Sequence, residues 1–118
     1  MKLVYKVIYS FQGLAYYYKY EKSAIIHLIA SITLFALAIF LKASKYEWFI
    51  IIICLLSILA FELLNTSLEV TVDMITKEYD ENAKAAKDLG SAATFIVSLM
   101  TGVIAIIIFL PKIFDLFK

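Results

Sequence analysis

Three stretches of this chain are too long and too apolar to be stable as anything but helices crossing a bilayer. They are AIIHLIASITLFALAIFL at 24–41, a run from Trp48 to about Leu64, and ATFIVSLMTGVIAIIIFL at 93–110. A hydrocarbon core of about 30 Å takes roughly 20 residues of helix, and each window approaches or continues to that length. The polar run KASKYE closes the first, and Pro111 is expected to stop the third. Composition agrees: 64% of the 118 residues are apolar, with a mean hydropathy of +0.91, against roughly 45–50% apolar in an ordinary soluble domain. The expected fold class is therefore all-α, an integral membrane protein with three transmembrane helices. Ahead of them, KLVYKVIYSFQGLAYYYKY mixes lysines with six tyrosines and is too polar to cross. It is read as an amphipathic surface helix, with the rings of Tyr16, Tyr17, Tyr18 and Tyr20 at headgroup depth and lysine ends snorkelling.

Charge and cysteine content exclude several classes. Eleven lysines face ten acids, net +1, and there is no arginine, so neither base readout nor a guanidinium clamp is expected and nucleic acid is not a partner. The single Cys54 lies in an apolar run, which rules out an internal disulfide framework and a thiolate metal cluster. The N-terminal segment has no uninterrupted apolar stretch before a small-residue cleavage site, so residue 1 is expected to belong to the mature chain. Lysine counting sets the orientation. Lys2, Lys6, Lys19, Lys22, Lys77, Lys84 and Lys87 lie on one side against Lys42, Lys45, Lys112 and Lys118 on the other, seven to four. That puts the N-terminus and the charged segment TKEYDENAKAAKDLGS in the cytoplasm. With no internal repeat, the chain reads as one unit over 1–118: a surface helix at about 1–22 and spans at about 24–41, 48–75 and 90–110.

The feature that apolarity does not explain is ELLNTSLEVTVD, 62–73, at the end of the second span. At 100° per residue Glu62, Asn65, Glu69 and Asp73 share an arc of about 80° on a helix, a single polar stripe. A charged side chain at membrane depth costs about 2.5–3.5 kcal/mol on insertion scales, so the stripe points to function, most strongly for Glu62 between Phe61 and Leu63. Emergence of the helix into water explains Asp73 equally well. Glu21, at the entrance to the first span, adds a carboxylate. Two carboxylates and an amide oxygen suit Mg²⁺, a hard ion that shares its shell with water and substrate phosphates. Lys87 and Asp88 are expected to supply a phosphate-binding ammonium and its orienting partner. The set looks like phosphoryl transfer, where catalysis is mainly positioning and charge neutralisation. Gly13, Gly90 and Gly102 form no phosphate-cradling loop, so a nucleotide must be held by side chains and metal. The lone His27 is read as a hydrogen-bonded bundle residue and not as a zinc ligand.

The string ELLNTSLEVTVDMITKEYDENAKAAKDLGSAA resembles the signature of the bacterial integral-membrane diacylglycerol kinases, and Gly13, Leu14 and Glu21 extend the likeness over nearly the whole chain. The resemblance implies a homotrimeric helix bundle in the inner membrane that transfers the γ-phosphate of ATP to a lipid hydroxyl. It implies Glu62 as the general base, Glu21 and Glu69 as Mg²⁺ ligands with Asn65 beside them, and Lys87 on the β and γ phosphates. Asp88, Glu78, Tyr79 and Asp80 would orient the nucleotide, helped by Lys2 and Tyr9 of the surface helix. Ser91 and Trp48 are candidates for the lipid path, although Trp48 is favoured as an interfacial anchor. Independently of the resemblance, three helices are too few to enclose a polar stripe and also open it to lipid and ATP, so other copies are expected to seal it.

His27 stands where diacylglycerol kinases of Gram-negative type usually carry a carboxylate, and in this it looks more like the undecaprenol kinases of the family. The absence of arginine, and Phe11-Gln12 in place of a Trp-Lys pair, point the same way. Undecaprenol is the favoured acceptor and diacylglycerol the alternative. The non-enzymatic rival is a small transporter or assembly subunit whose buried acids relay protons or fix helix pairing. Such a protein would need Glu62 and Glu69 but not Glu78, Lys87 and Asp88.

Overall fold

The computed structural model describes residues 2–118. Four helices follow in order: α1 (Lys2–Tyr20), α2 (Lys22–Phe40), α3 (Lys45–Ile75) and α4 (Glu81–Leu116). The last three are long and apolar enough to cross a membrane. Neither glycine nor proline interrupts 45–75, and α3 runs its 31 residues unbroken. At 1.5 Å per residue, α3 and α4 are about 46 and 54 Å long, well beyond a hydrocarbon core of about 30 Å. They form an antiparallel hairpin that is the most intimate helix pairing of the fold; α2 leans on both, and α1 touches α2 and α3.

The best-buried apolar cluster lies where α2 turns into α3, with Ala38, Leu41, Ile51, Leu55, Ile108 and Phe109 packed together. Lys42 makes this turn with a left-handed backbone, φ 55°, and the Ala43 N–H donates back to the Ala38 carbonyl at 2.9 Å, a Schellman closure. Ser44 then caps α3 in a reciprocal box: its hydroxyl accepts from the Glu47 N–H, and the Glu47 carboxylate accepts from the Ser44 N–H at 2.8 Å. The opposite end holds α1, the α3–α4 connection and the polar stripe of α3.

Two expectations about boundaries are corrected. Pro111 does not end the third span: α4 passes through it to Leu116. Proline deprives the Ile107 carbonyl of its helical donor. The turn is nevertheless anchored on both sides, by burial of Ile108 and Phe109 and by an ion pair of 3.0 Å between Lys112 and Glu47 of α3. Nor is the charged segment 76–90 mainly loop. Only residues 76–80 connect the two helices, because the Asp80 carboxylate accepts from the Asn82 and Ala83 N–H groups, at 2.9 and 3.0 Å, and starts α4 about nine residues before the expected span.

Candidate active site

The polar stripe of α3 is graded in depth. Glu62 is buried, 9% exposed; Asn65 and Glu69 are half-buried, and Asp73 is exposed. The wheel placed all four on one face, and the structure turns that face into a series running from the bundle interior outward.

Glu21 joins the stripe because the chain bends there. It is the single non-helical residue between α1 and α2, extended at φ −94°, ψ 121°, and although it occupies the N-cap of α2 its side chain makes no capping hydrogen bond. Among the described residues its carboxylate has no hydrogen-bond or ion-pair partner, and it lies within electrostatic range of both Glu62 and Glu69. Asn65 donates from Nδ2 to Oε1 of Glu69 at 3.3 Å, which orients that carboxylate and leaves its other oxygen free. The Asn65 Oδ1 is buried without a hydrogen-bond partner and faces Gly90 of α4, where an added Cβ would collide with it. Gly90 is therefore required by close approach of the helices, a role that its sequence neighbourhood alone did not reveal.

Among the described residues no three His, Cys, Asp or Glu side chains gather into a closed metal site. The donors available, two carboxylates and no soft ligand, fit a hard divalent cation that completes its shell with water and phosphate oxygens.

The cationic half of the site is built by α4. Lys87 reaches across to Asp73 of α3, Nζ to Oδ1 at 2.6 Å. This corrects the pairing expected for it: Asp88 is not its partner but bonds Lys84 at 2.5 Å. Consecutive residues on a helix point about 100° apart, whereas i and i+4 share a face. Glu78, Tyr79, Asp80, Lys84, Lys87 and Asp88 do come together, around a hollow of about 370 Å³ beside the α3–α4 connection. Ser91 is exposed one turn further along α4.

Not every expected residue converges here. Lys2 and Tyr9 stand about 28 and 18 Å along α1 from Glu21, both exposed, with Tyr9 stacked on Tyr5. Trp48 is fourteen residues before Glu62, about 21 Å along α3, packed on Phe35 and the apolar cluster at the far end. Its surroundings are those of a packing residue.

Tyr17 departs from the expected aromatic belt. It is 1% exposed, and burial pushes its phenol above the usual tyrosine range, so the hydroxyl stays protonated. It meets His27 Nδ1 at 3.3 Å, and His27 Nε2 lies 3.5 Å from Glu62 Oε1. His27 is thus the hydrogen-bonded bundle residue expected of it. Tyr17 gave no distinguishing signal within the run YYYKY. Alongside, α1 and α3 enclose a groove of about 720 Å³, lined by Gly13, Leu14, Tyr17, Leu59, Leu63 and Thr66 among others and open to the exterior.

Comparisons with known proteins bear on this arrangement. Residues 8–109 match the family model described as prokaryotic diacylglycerol kinase. Curated relatives include an undecaprenol kinase of Bacillus subtilis, 34% identical over 93 residues that cover 79% of this chain and 76% of the relative. A diacylglycerol kinase of Haemophilus influenzae is 36% identical over 96 residues, 81% of each chain, and one of Pseudomonas aeruginosa is 39% identical over 69 residues, 58% and 55% of the two. This sets aside the transporter reading. A helical membrane protein with acids, an amide and a paired lysine at one end of its bundle, this chain belongs to the prokaryotic diacylglycerol kinase family and is a phosphotransferase acting on a lipid alcohol.

Proposed function

We propose that this kinase transfers the γ-phosphate of ATP to the hydroxyl of undecaprenol at the cytoplasmic face of the bacterial inner membrane, as a Mg²⁺-dependent homotrimer. One observation carries the reading: the α3 stripe joins a buried carboxylate, Glu62, to a half-buried one, Glu69, that lies within electrostatic range of Lys87. The two are seven residues apart, about 10 Å along the helix, which leaves space between them for a phosphoryl group and the attacking hydroxyl.

Each residue then has a physical task. Glu62, lodged among apolar neighbours beside His27, accepts the proton of the lipid hydroxyl as its oxygen attacks phosphorus. Glu21 and Glu69 would hold the metal, with Asn65 fixing Glu69. Bound there, Mg²⁺ would neutralise charge on the phosphates. Lys87, presented by Asp73, meets phosphate oxygens, and Glu78, Tyr79, Asp80 and Asp88 bound the hollow that receives the nucleotide. Asp80 does this while capping α4. Lys2 and Tyr9 join the site only if α1 or a neighbouring protomer brings them to it. The apolar α1–α3 groove suits the acceptor's chain, whose hydroxyl would approach Glu62 past Leu63 and Thr66; Ser91 borders the nucleotide side, and Trp48 contributes as an anchor.

Undecaprenol is favoured by the pairing of Glu62 with a histidine and by the B. subtilis relative's name. Diacylglycerol is the second reading, favoured by the names of the H. influenzae and P. aeruginosa relatives. Purified protein incubated with labelled ATP, Mg²⁺ and a panel of lipid alcohols tests both. Label in undecaprenyl phosphate above phosphatidic acid is the expected result; the reverse order assigns diacylglycerol, and no labelled lipid of any kind refutes the proposed transfer.

A further inference from the structure

The bend at Glu21 brings together groups that a continuous helix would separate. Tyr17 and His27 are ten residues apart, about 15 Å along an unbroken helix, yet the Tyr17 hydroxyl and His27 Nδ1 are 3.3 Å apart. The contact ties α1 to α2, and His27 extends it to α3 through Nε2, 3.5 Å from Glu62 Oε1, within ion-pair distance and longer than an ordinary hydrogen bond. A phenol this deeply buried requires a partner; His27 Nδ1 lies at 3.3 Å, and the Ser23 side chain is a second hydrogen-bonding neighbour of the hydroxyl.

We infer that Tyr17 and His27 are positioning residues that hold one oxygen of Glu62 and leave the other free for the acceptor hydroxyl. The inference rests on Glu62 being the base. A neutral imidazole carries one N–H, and the bond made by one nitrogen decides the state of the other. With the Tyr17 hydroxyl as donor to Nδ1, the imidazole proton resides on Nε2, the nitrogen nearest Glu62 Oε1. Without Tyr17 the alternative tautomer turns a lone pair toward a carboxylate oxygen, and the carboxylate rotates away. The same logic orients ligands around metals and bases elsewhere, where loss of the outer partner typically lowers function by about 10–100-fold.

The test is steady-state kinetics of purified variants with ATP and the lipid alcohol that the unaltered protein phosphorylates best. His27→Leu is expected to lower kcat by about 10–100-fold with the KM for ATP unchanged. His27→Gln, whose amide can donate to Glu62 and accept from Tyr17, recovers a substantial part of that loss. Tyr17→Phe, which removes a single oxygen and tests the chain even if His27→Leu fails to assemble, lowers kcat less and adds no loss in the His27→Leu background, because the two act through one chain. An unchanged kcat in Tyr17→Phe, equal rates for the Gln and Leu variants, or losses that multiply independently would overturn the inference. Glu62→Gln separates the two levels of argument. If it retains transfer, the base assignment fails; if it is inactive while Tyr17→Phe and His27→Leu keep full kcat, only the positioning role fails.

Discussion

Gly90→Ala isolates the contact on which the metal side of the site depends. The new methyl falls on Asn65 Oδ1, and it lies 2.9 Å from Leu68 Cδ2 and 3.3 Å from Asn65 Cγ. Leu68 can move its terminal methyl, but Asn65 is short and is met at two atoms, so it must rotate, and rotation breaks its 3.3 Å hydrogen bond to Glu69. A hydrogen bond to a charged group contributes about 1.5–3 kcal/mol, which at 1.4 kcal/mol per tenfold corresponds to roughly 10–100-fold in the affinity of the site for its cation. Stability should fall by at most about 2 kcal/mol, because alanine gains about 1 kcal/mol of helix propensity over glycine against an overpacking cost of about 1–3 kcal/mol. The assay is transfer rate against Mg²⁺ concentration, alongside thermal unfolding in detergent. The midpoint of Mg²⁺ activation should rise while the protein still unfolds cooperatively, at a temperature lowered by no more than that loss accounts for. Gly102→Ala, where nothing lies within 4 Å of the new Cβ, should leave both unchanged. In an Asn65→Ala background the methyl has room, so Gly90→Ala should add nothing. A Gly90→Ala enzyme with the parent's Mg²⁺ curve would refute the link between this crossing and Glu69.

Glu62→Gln should lower kcat by at least about 10²-fold, as expected for loss of a general base, with nucleotide binding retained in an equilibrium titration; equal loss of both would make Glu62 structural. Glu69→Gln should shift Mg²⁺ activation to higher concentration and be partly rescued there, and indifference to the metal would remove its ligand role. Lys87→Ala should raise the KM for ATP. Its ion pair with Asp73 is roughly half exposed, so the stability change in Asp73→Asn should stay within about 1 kcal/mol, while a loss of several kcal/mol by denaturant titration would show the pair to be structural. Lys42→Gly, relieving a left-handed lysine, should stabilise the protein by up to about 1 kcal/mol with transfer unaffected.

How much of this was legible in the sequence depended on whether a residue's role follows from its own helix. The spans follow from length and apolarity, and the stripe follows from the 3.6-residue period, so Glu62, Asn65, Glu69 and Asp73 are readable from the sequence. Roles set by a neighbouring helix are not. Adjacency pairs Lys87 with Asp88, but its partner is fourteen residues back, across the α3–α4 hairpin. Pro111 carries a strong local stop signal that burial and the Glu47–Lys112 pair override. Residues 81–90 are charged enough to read as loop, but Asp80 caps them into a helix.

Tyr17 shows the same limit most sharply, since one tyrosine of three consecutive ones is buried and hydrogen-bonded while Tyr16 and Tyr18 stay exposed. On α1 alone the three are equivalent in kind, and what separates them is the angle at which α1 leaves α2. Glu21 sets that angle with an extended backbone, so a single residue fixes three things at once: the burial of Tyr17, the reach of Tyr17 to His27, and the exposure of its own carboxylate toward Glu69. A site built in this way couples the surface helix to the base. Straightening the bend would withdraw Glu21 from the metal side and Tyr17 from His27 together, which is why the two halves of the site should fail jointly when the joint is altered and separately when only Gly90 or only Tyr17 is changed.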